Sequence, residues 1–425
     1  MTLTREFGQS SSLQIAYVGT VGRRLPMEVD EAMPTDLVDP ASGTDYFKAA
    51  TMLSQAVAQG LPTSQVQSIP YWENLFPAWS GVTQSSLDGQ GLNCIGDDDA
   101  GALSATQALY DFWSCNLHNE TFSLFLLDTP SAVSGVSLPN SKFGPYAFYH
   151  DQFSSLTAWR NIGTSDYNAL QATYNVRWGD NLLSQFNYTF SKSLDEVSDA
   201  GRVGAWEGSG GTGNDVNGGG IVINTWAPLS LRGLSSFNAF NQINANWVYR
   251  LPFGRGQMLG GNASTWFNEL IGGWQFSGVF RWTSGFPTSI DNGGFWPTNW
   301  NIEGLAMPLV KGQLPKVSNH GAQIFADPTA AEAAFRHSWP GESGTRDEII
   351  GDGMFGIDSG LAKDFSIGET GKVEFSWQTF NLTNSVRFNV QNGMPTLREL
   401  PSQFGRYTST VTQPRFMQFA LRFSF

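Results

Sequence analysis

Charge is scarce in these 425 residues: Asp, Glu, Lys and Arg together make up 14%, against roughly 25% in ordinary soluble domains. Lys and Arg number 24 against 37 Asp and Glu, the formal net charge is -13, and no basic cluster is longer than Arg23–Arg24. The electrostatic footprint of a nucleic-acid binder is missing, so no nucleic-acid partner is expected. No run reaches 18 apolar residues, which excludes helical membrane spans and leaves strands open. His118, His150, His320 and His337 are scattered, none at the i, i+4 spacing of a zinc helix. No Gly-x-Ser-x-Gly elbow occurs, and Gly210–Gly211 and Gly218–Gly220 lack the Lys-Ser/Thr that follows a phosphate loop. No catalytic residue, metal or cofactor is therefore expected, and the chain is read as a non-enzyme. Cysteine occurs twice, at Cys94 and Cys115; the pair fits one disulfide in an oxidising compartment or two free thiols. MTLTREFGQS at the start shows no basic region followed by an apolar one, so no signal peptide is read there.

What is present points to strands. Glycine reaches 47, tryptophan 15 and aromatics 13%, with 40% hydrophobic residues. Residues 414–425 read PRFMQFALRFSF: Met417, Phe419, Leu421, Phe423 and Phe425 alternate with Gln418, Ala420, Arg422 and Ser424. Strict alternation means a strand whose two faces meet different media. A soluble sandwich would need a layer over the apolar face; in an outer-membrane barrel that face meets lipid and the polar one meets the lumen. The near-neutral mean hydropathy of -0.22 suits half-polar barrel strands. The same alternation recurs in residues 170–178 and 182–190, joined by Gly179-Asp180-Asn181, and in 237–251, 273–284, 355–367 and 372–380, with further strands at 1–7 and 11–18. About ten residues per strand is the length that crosses a bilayer at a tilt.

Long and short connections alternate, as extracellular loops and periplasmic turns do in such barrels. The long ones are read at about 19–165, 192–235, 287–350 and 383–412. The expected fold class is thus all-β, an antiparallel outer-membrane β-barrel with long extracellular loops, of which about nine strands lie in residues 1–425. A closed bacterial barrel has an even strand number, and the first strand here starts on the extracellular side. The expectation is therefore the C-terminal portion of a larger barrel. Within the first loop only residues 46–59 are helix-like. Its acidic knot Asp97–Asp98–Asp99 can be a cation site or a solvated loop. The loop aromatics Tyr71, Trp72, Trp79, Trp113, Trp159, Trp296 and Trp300 have two readings, stacking on a flat ligand or forming an interfacial belt. Asn119, Asn187, Asn262 and Asn381 open sequons, which are taken as coincidence.

FNYTFSKSLDE (186–196), YRLPFGRG (249–256), GGWQFSGVFRWTSGFP (272–287) and RFMQFALRFSF (415–425) resemble the barrel of TonB-dependent receptors, closest to the Oar-like type abundant in Acidobacteria. YVGTVGRRLP (17–26), SDYNALQATYNVRW (165–178) and FNLTN (380–384) fit the same pattern. The resemblance implies a barrel of about 22 strands with a plugged lumen, in the outer membrane of a Gram-negative bacterium, importing a bulky solute with energy delivered through TonB. No plug and no TonB-contacting segment is read in these residues, so gated transport is implied for a parent protein. A last strand ending in Phe423 and Phe425 resembles the signal read by the barrel assembly machinery. The implied partners are outer-membrane lipid, that machinery, the TonB complex through the missing N-terminal part, and an unknown solute. The alternative is a non-transporting adhesin or surface-display barrel.

Overall fold

The computed structural model describes residues 1–88, 101–115, 120–134, 137–153, 156–196, 198, 222–292, 304–318, 321–367, 371–390, 395–397 and 403–425. Nine long strands form one antiparallel sheet in which each pairs with its neighbours in sequence: β1 (Thr2–Phe7), β2 (Ser11–Asp30), β3 (Thr157–Trp178), β4 (Leu182–Asp195), β5 (Asn241–Arg250), β6 (Trp274–Thr283), β7 (Phe355–Ile367), β8 (Gly371–Phe380) and β9 (Phe416–Ser424). Short pieces add to it, Val222–Ile223 running parallel to the end of β2 and Gly233–Leu234 antiparallel to the end of β4. Among the described residues β1 pairs only with β2 and β9 only with β8, so the sheet is not closed.

The register turns the alternation of single strands into two continuous faces. One apolar row runs Phe419, Trp377, Leu361, Phe276, Tyr249, Leu182 and Trp178 from β9 back to β3. On the other face a row of Gln14, Thr173, Asn187, Asn244 and Arg281 crosses β2 to β6. Neighbours on that face pair with one another, as Thr173 with Asn187 at 3.0 Å and Arg281 with Asp358 at 2.7 Å. Because side chains alternate with a period of two, a one-residue slip would exchange the faces, and the pattern fixes the register.

β2 and β3 run further than their sequence suggests. Residues 17–26 read as leaving the sheet, and the sheet continues to Asp30. A bulge accommodates Arg24, whose φ is 57°, and Pro26, which has no N–H for the ladder. At 20 and 22 residues, and ~3.3 Å per residue, these strands extend about twice the ~30 Å of a bilayer's hydrocarbon. The first loop is accordingly 31–156 rather than 19–165.

That loop is a folded body. Asp30 closes its neck, its carboxylate accepting from Ala32 N at 2.9 Å and Leu156 N at 2.8 Å. The helix expected at 46–59 is present as α1 (Tyr46–Ala58), capped by Asp45, whose side chain accepts from Lys48 N. Its buried residues Tyr46, Ala49, Ala50, Leu53 and Ser54 share one face. The rest of the loop, read as irregular, adds α2 (Pro70–Leu75), α3 (Ala105–Cys115) and α4 (Glu120–Asp128), with Pro70 in the first turn of α2 where its missing N–H costs nothing. The four helices close on one hydrophobic core. The Asp128 carboxylate accepts from Ala147, Phe148 and Tyr149 N at 2.7–3.0 Å, tying the returning chain down. A second, smaller core forms from the loops after β6 and β8 and includes Ile324, Phe325, Phe335, Ile349 and Phe404. The four longest connections lie at one end of the sheet. At the other end are the turns 8–10 and 179–181, the three-residue connection 368–370, and the connection 251–273 with α5 (Thr265–Ile271).

Trp72 sits in the first core with its indole N–H on Ala49 O at 3.3 Å and ring contacts to Tyr46, Tyr71 and Trp113. Trp72→Ala is expected to destabilise this body by about 3–5 kcal/mol, the usual range for emptying a large aromatic site. Thermal melts should show the near-ultraviolet dichroism of the aromatic core lost at lower temperature. The strand signal in the far ultraviolet should keep its transition.

Candidate ligand-binding site at the loop end

Low overall charge makes the few arginines informative, and three of them organise the loop end. Arg346 ends the β6–β7 loop's short run GTR and Asp347 follows it; both are buried. Arg346 Nη2 donates to the Asp195 carboxylate and carbonyl at 2.6 Å each, and its Nε to Leu231 O at 3.0 Å. Arg232 donates to Thr164 and Glu196 at 2.6 Å each and also to Asp166. Asp195 and Glu196 end the FSKSLDE motif, so this motif supplies the anchors that lock the β4–β5 and β6–β7 loops onto the strand tops. Breaking a buried pair leaves an uncompensated charge, so these arginines are read as structural.

The third arginine borders a cleft. Arg387, Asp352, Phe388, Tyr407, Ser318 and Gln323 line a cavity of about 270 Å³. A second lobe of about 300 Å³ shares Ser318, Asp352 and Arg387 and reaches the tops of β6 and β7. Arg387 Nη1 donates to Asp352 Oδ1 at 3.1 Å, and the guanidinium lies 5.6 Å from the Phe355 ring centre. Asp352 Oδ2 accepts from Phe388 N at 2.9 Å, while its own N–H donates to Tyr407 Oη at 2.8 Å. Phe388 and Tyr407 stack at 5.0 Å. Gly285 and Gly351 are required here: a Cβ on Gly285 would meet Gly351 O at 1.9 Å. The arrangement offers a half-exposed cation, a carboxylate and an aromatic wall, which is equipment for holding a polar ligand carrying a flat or ring-shaped part.

The FNLTN motif positions this cleft. Asn381 and Asn384 have φ of 49° and 50°, a region that Asn tolerates better than most residues. The Asn381 side chain accepts from Ser385 N at 2.9 Å and donates to Gln413 O at 2.8 Å, clamping the loop's two ends. Asn381 is thus used as a turn residue.

The residues singled out from sequence fall elsewhere. Tyr71, Trp72, Trp79 and Trp113 are fully buried in the first loop core. Their polar tips are satisfied within it, Tyr71 Oη on Leu37 O at 3.0 Å and Trp79 Nε1 on Pro139 O at 2.9 Å. A ring with no exposed face has none to offer a ligand or a membrane surface, so both earlier readings are corrected for these four. Trp159 stands on β3, 63% exposed. Trp296 and Trp300 lie outside the described residues, as do Asp97–Asp99 and Cys94; Cys115 ends α3. Phe423 pairs with Val373 on β8 and Phe425 follows the last strand. The cleft escaped sequence reading because residues 318, 352, 387 and 407 meet only in the fold.

A family model described as outer membrane beta barrel domain matches residues 106–418. No curated protein sequence matches the chain. Among solved structures, the outer membrane transporter YddB from Escherichia coli is similar, with a TM-score of 0.35 and 8% identity over 99% of this chain and 31% of that one. The chain thus spans about a third of that structure's length.

Burial raises the Tyr407 phenol from 10.0 to about 12, the adjacent Asp352 charge adding to it and the Asp352 N–H opposing it. A raised phenol favours folding while it is neutral: this contribution is complete below pH 10 and is lost as pH rises through about 12. Titrating phenolate absorbance in the intact protein and in Tyr407→Phe should give a difference curve with its midpoint near 12. A midpoint near 10 would mean that the cleft wall is open to water.

Proposed function

The chain belongs to the outer membrane β-barrel domain family, and from that premise we propose that it forms part of the wall of a TonB-dependent transporter of the Oar-like type. Its place is the outer membrane. The observation that carries the proposal is the nine-strand meander with one apolar and one polar face, in which β1 and β9 each keep one edge unpaired among the described residues. Unpaired backbone groups are costly in lipid, so further strands complete the wall, giving the wide barrel that a bulky solute needs. The long loops face outward, the short turns face the periplasm, and the Arg387–Asp352 cleft meets the solute on the outer side. TonB supplies the energy for import, and the barrel assembly machinery reads the strand ending in Phe423 and Phe425.

A second reading, a non-transporting adhesin, draws on the loop bodies, whose own hydrophobic cores make them stable display surfaces. Uptake separates the two. Cells carrying the full-length parent protein, with and without TonB, are offered labelled ferric siderophores, oligosaccharides and peptides. Transport predicts accumulation of one class that disappears without TonB. Surface binding with no TonB-dependent accumulation would favour the adhesin.

The lipid assignment of the apolar face has its own check. Phe419 stacks on Trp377 at 6.0 Å in the apolar row, and Gln418 beside it faces the other way. Phe419→Arg should destabilise the barrel in liposomes by about 2–4 kcal/mol. Gln418→Arg, read by the same urea unfolding in liposomes, should change little.

A further inference from the structure

The YRLPFGRG motif and α5 take no part in the loop-end site; they build something at the opposite end. After β5 the chain curls back, Leu251 N donating to Trp274 O at 2.8 Å, Gly254 N to Leu259 O at 2.8 Å and Leu259 N to Pro252 O at 3.0 Å. Arg255 N reaches the Asn268 side chain of α5 at 2.6 Å. Gly254 has a φ of 110°, and a Cβ there would lie 2.6 Å from Asn268 Oδ1 and 2.9 Å from Gly272 Cα. Glycine thus lets the turn press onto the helix.

The helix in turn leans on the apolar face of the sheet. Trp274 Nε1 donates to Leu270 O at 2.9 Å, and the Lys363 ammonium donates to Glu269 O near the C-terminal end of α5. Lys363 pairs with Trp274 and Leu361 with Phe276, so all four belong to the apolar face. Between turn, helix and sheet lies a groove of about 450 Å³, lined by Leu251, Phe253, Leu259, Leu270, Trp274 and Leu361. The N–H groups of Leu251, Gly254, Arg255 and Leu259 are engaged in the turn and helix, which leaves a peptide few partners there. Trp266, 73% exposed, and Phe267 stand on the same helix, the residue types that seat at a bilayer's polar boundary.

We propose that this groove seats one acyl chain of a membrane phospholipid, with α5 lying at the boundary of the periplasmic leaflet. The assignment rests on the membrane orientation proposed above, and the occupant follows from continuity: the groove opens onto the face that the apolar row presents to lipid.

The full-length protein in liposomes containing a phosphatidylethanolamine with a photoreactive acyl chain tests this, with labelled peptides mapped by mass spectrometry. The inference predicts labelling of residues 251–274 several-fold above belt positions such as Leu170 and Tyr174. Leu259→Trp, filling the groove from a half-exposed position, should lower that labelling several-fold and leave the belt signal intact, which also reports a folded wall. Leu270→Ser, a smaller change, should lower it in the same direction. Labelling of 251–274 no greater than the belt, or unchanged in both variants, overturns the groove. Labelling of neither region overturns the membrane orientation itself.

Discussion

A backbone that crosses hydrocarbon has no water to satisfy its N–H and C=O groups, and this constraint shapes the whole chain. Each of the nine strands hands its polar backbone to a neighbour in sequence, so the wall is a meander with no crossover. The same constraint expels irregular chain from the wall. The four longest connections leave at one end, and three of the four at the other end, 8–10, 179–181 and 368–370, are three residues each. Side-chain period does the remaining sorting, since strands pairing in one register put every second residue toward lipid.

Loops sent beyond such a wall cannot bury their apolar groups against it, because one face is committed to lipid and the other is polar. They must make their own cores, and they do. Trp72, Trp79, Trp113 and their neighbours close the first loop body; Phe325, stacked on Phe404 at 5.4 Å, anchors the second. The two bodies meet through the β4–β5 loop: Trp226 packs edge-on against Phe47 at 4.7 Å and Asn224 donates to Gly341 O at 2.9 Å. Arg346 and Arg232 then fix this assembly to the strand tops. Their desolvation is offset by the number of acceptors each finds rather than by one ion pair. A rim held this way gives the Arg387–Asp352 cleft walls that stay in place.

Legibility from sequence followed the same physics. Where a strand faces two media its residues alternate, and β3 to β9 could be read with their order, direction and connections. Alternation weakens where strands leave the bilayer, and Arg24 and Pro26 break the ladder, so the upper halves of β2 and β3 looked like loop. The first loop body was hidden for a different reason. Its helices after α1 run only 4 to 11 residues, too short for a 3.6-residue period to stand out. Its aromatics were visible as a group, but burial rather than ligand contact brought them together. The cleft was invisible because its chemistry depends on loops that meet only in space.

Lys363 shows what a break in the pattern carries. Between Leu361 and Phe365 it occupies an apolar position, where an ammonium facing lipid would be strongly disfavoured. It is buried instead, its charge set against the carbonyl end of α5 and 4.7 Å from the Phe365 ring. A helix C-terminus is the electrostatic complement of a cation, so the lysine both requires the helix and holds it to the wall. The cation in the apolar row thus explains why the connection 251–273, alone among those at its end of the sheet, is long and folds back over the outer face.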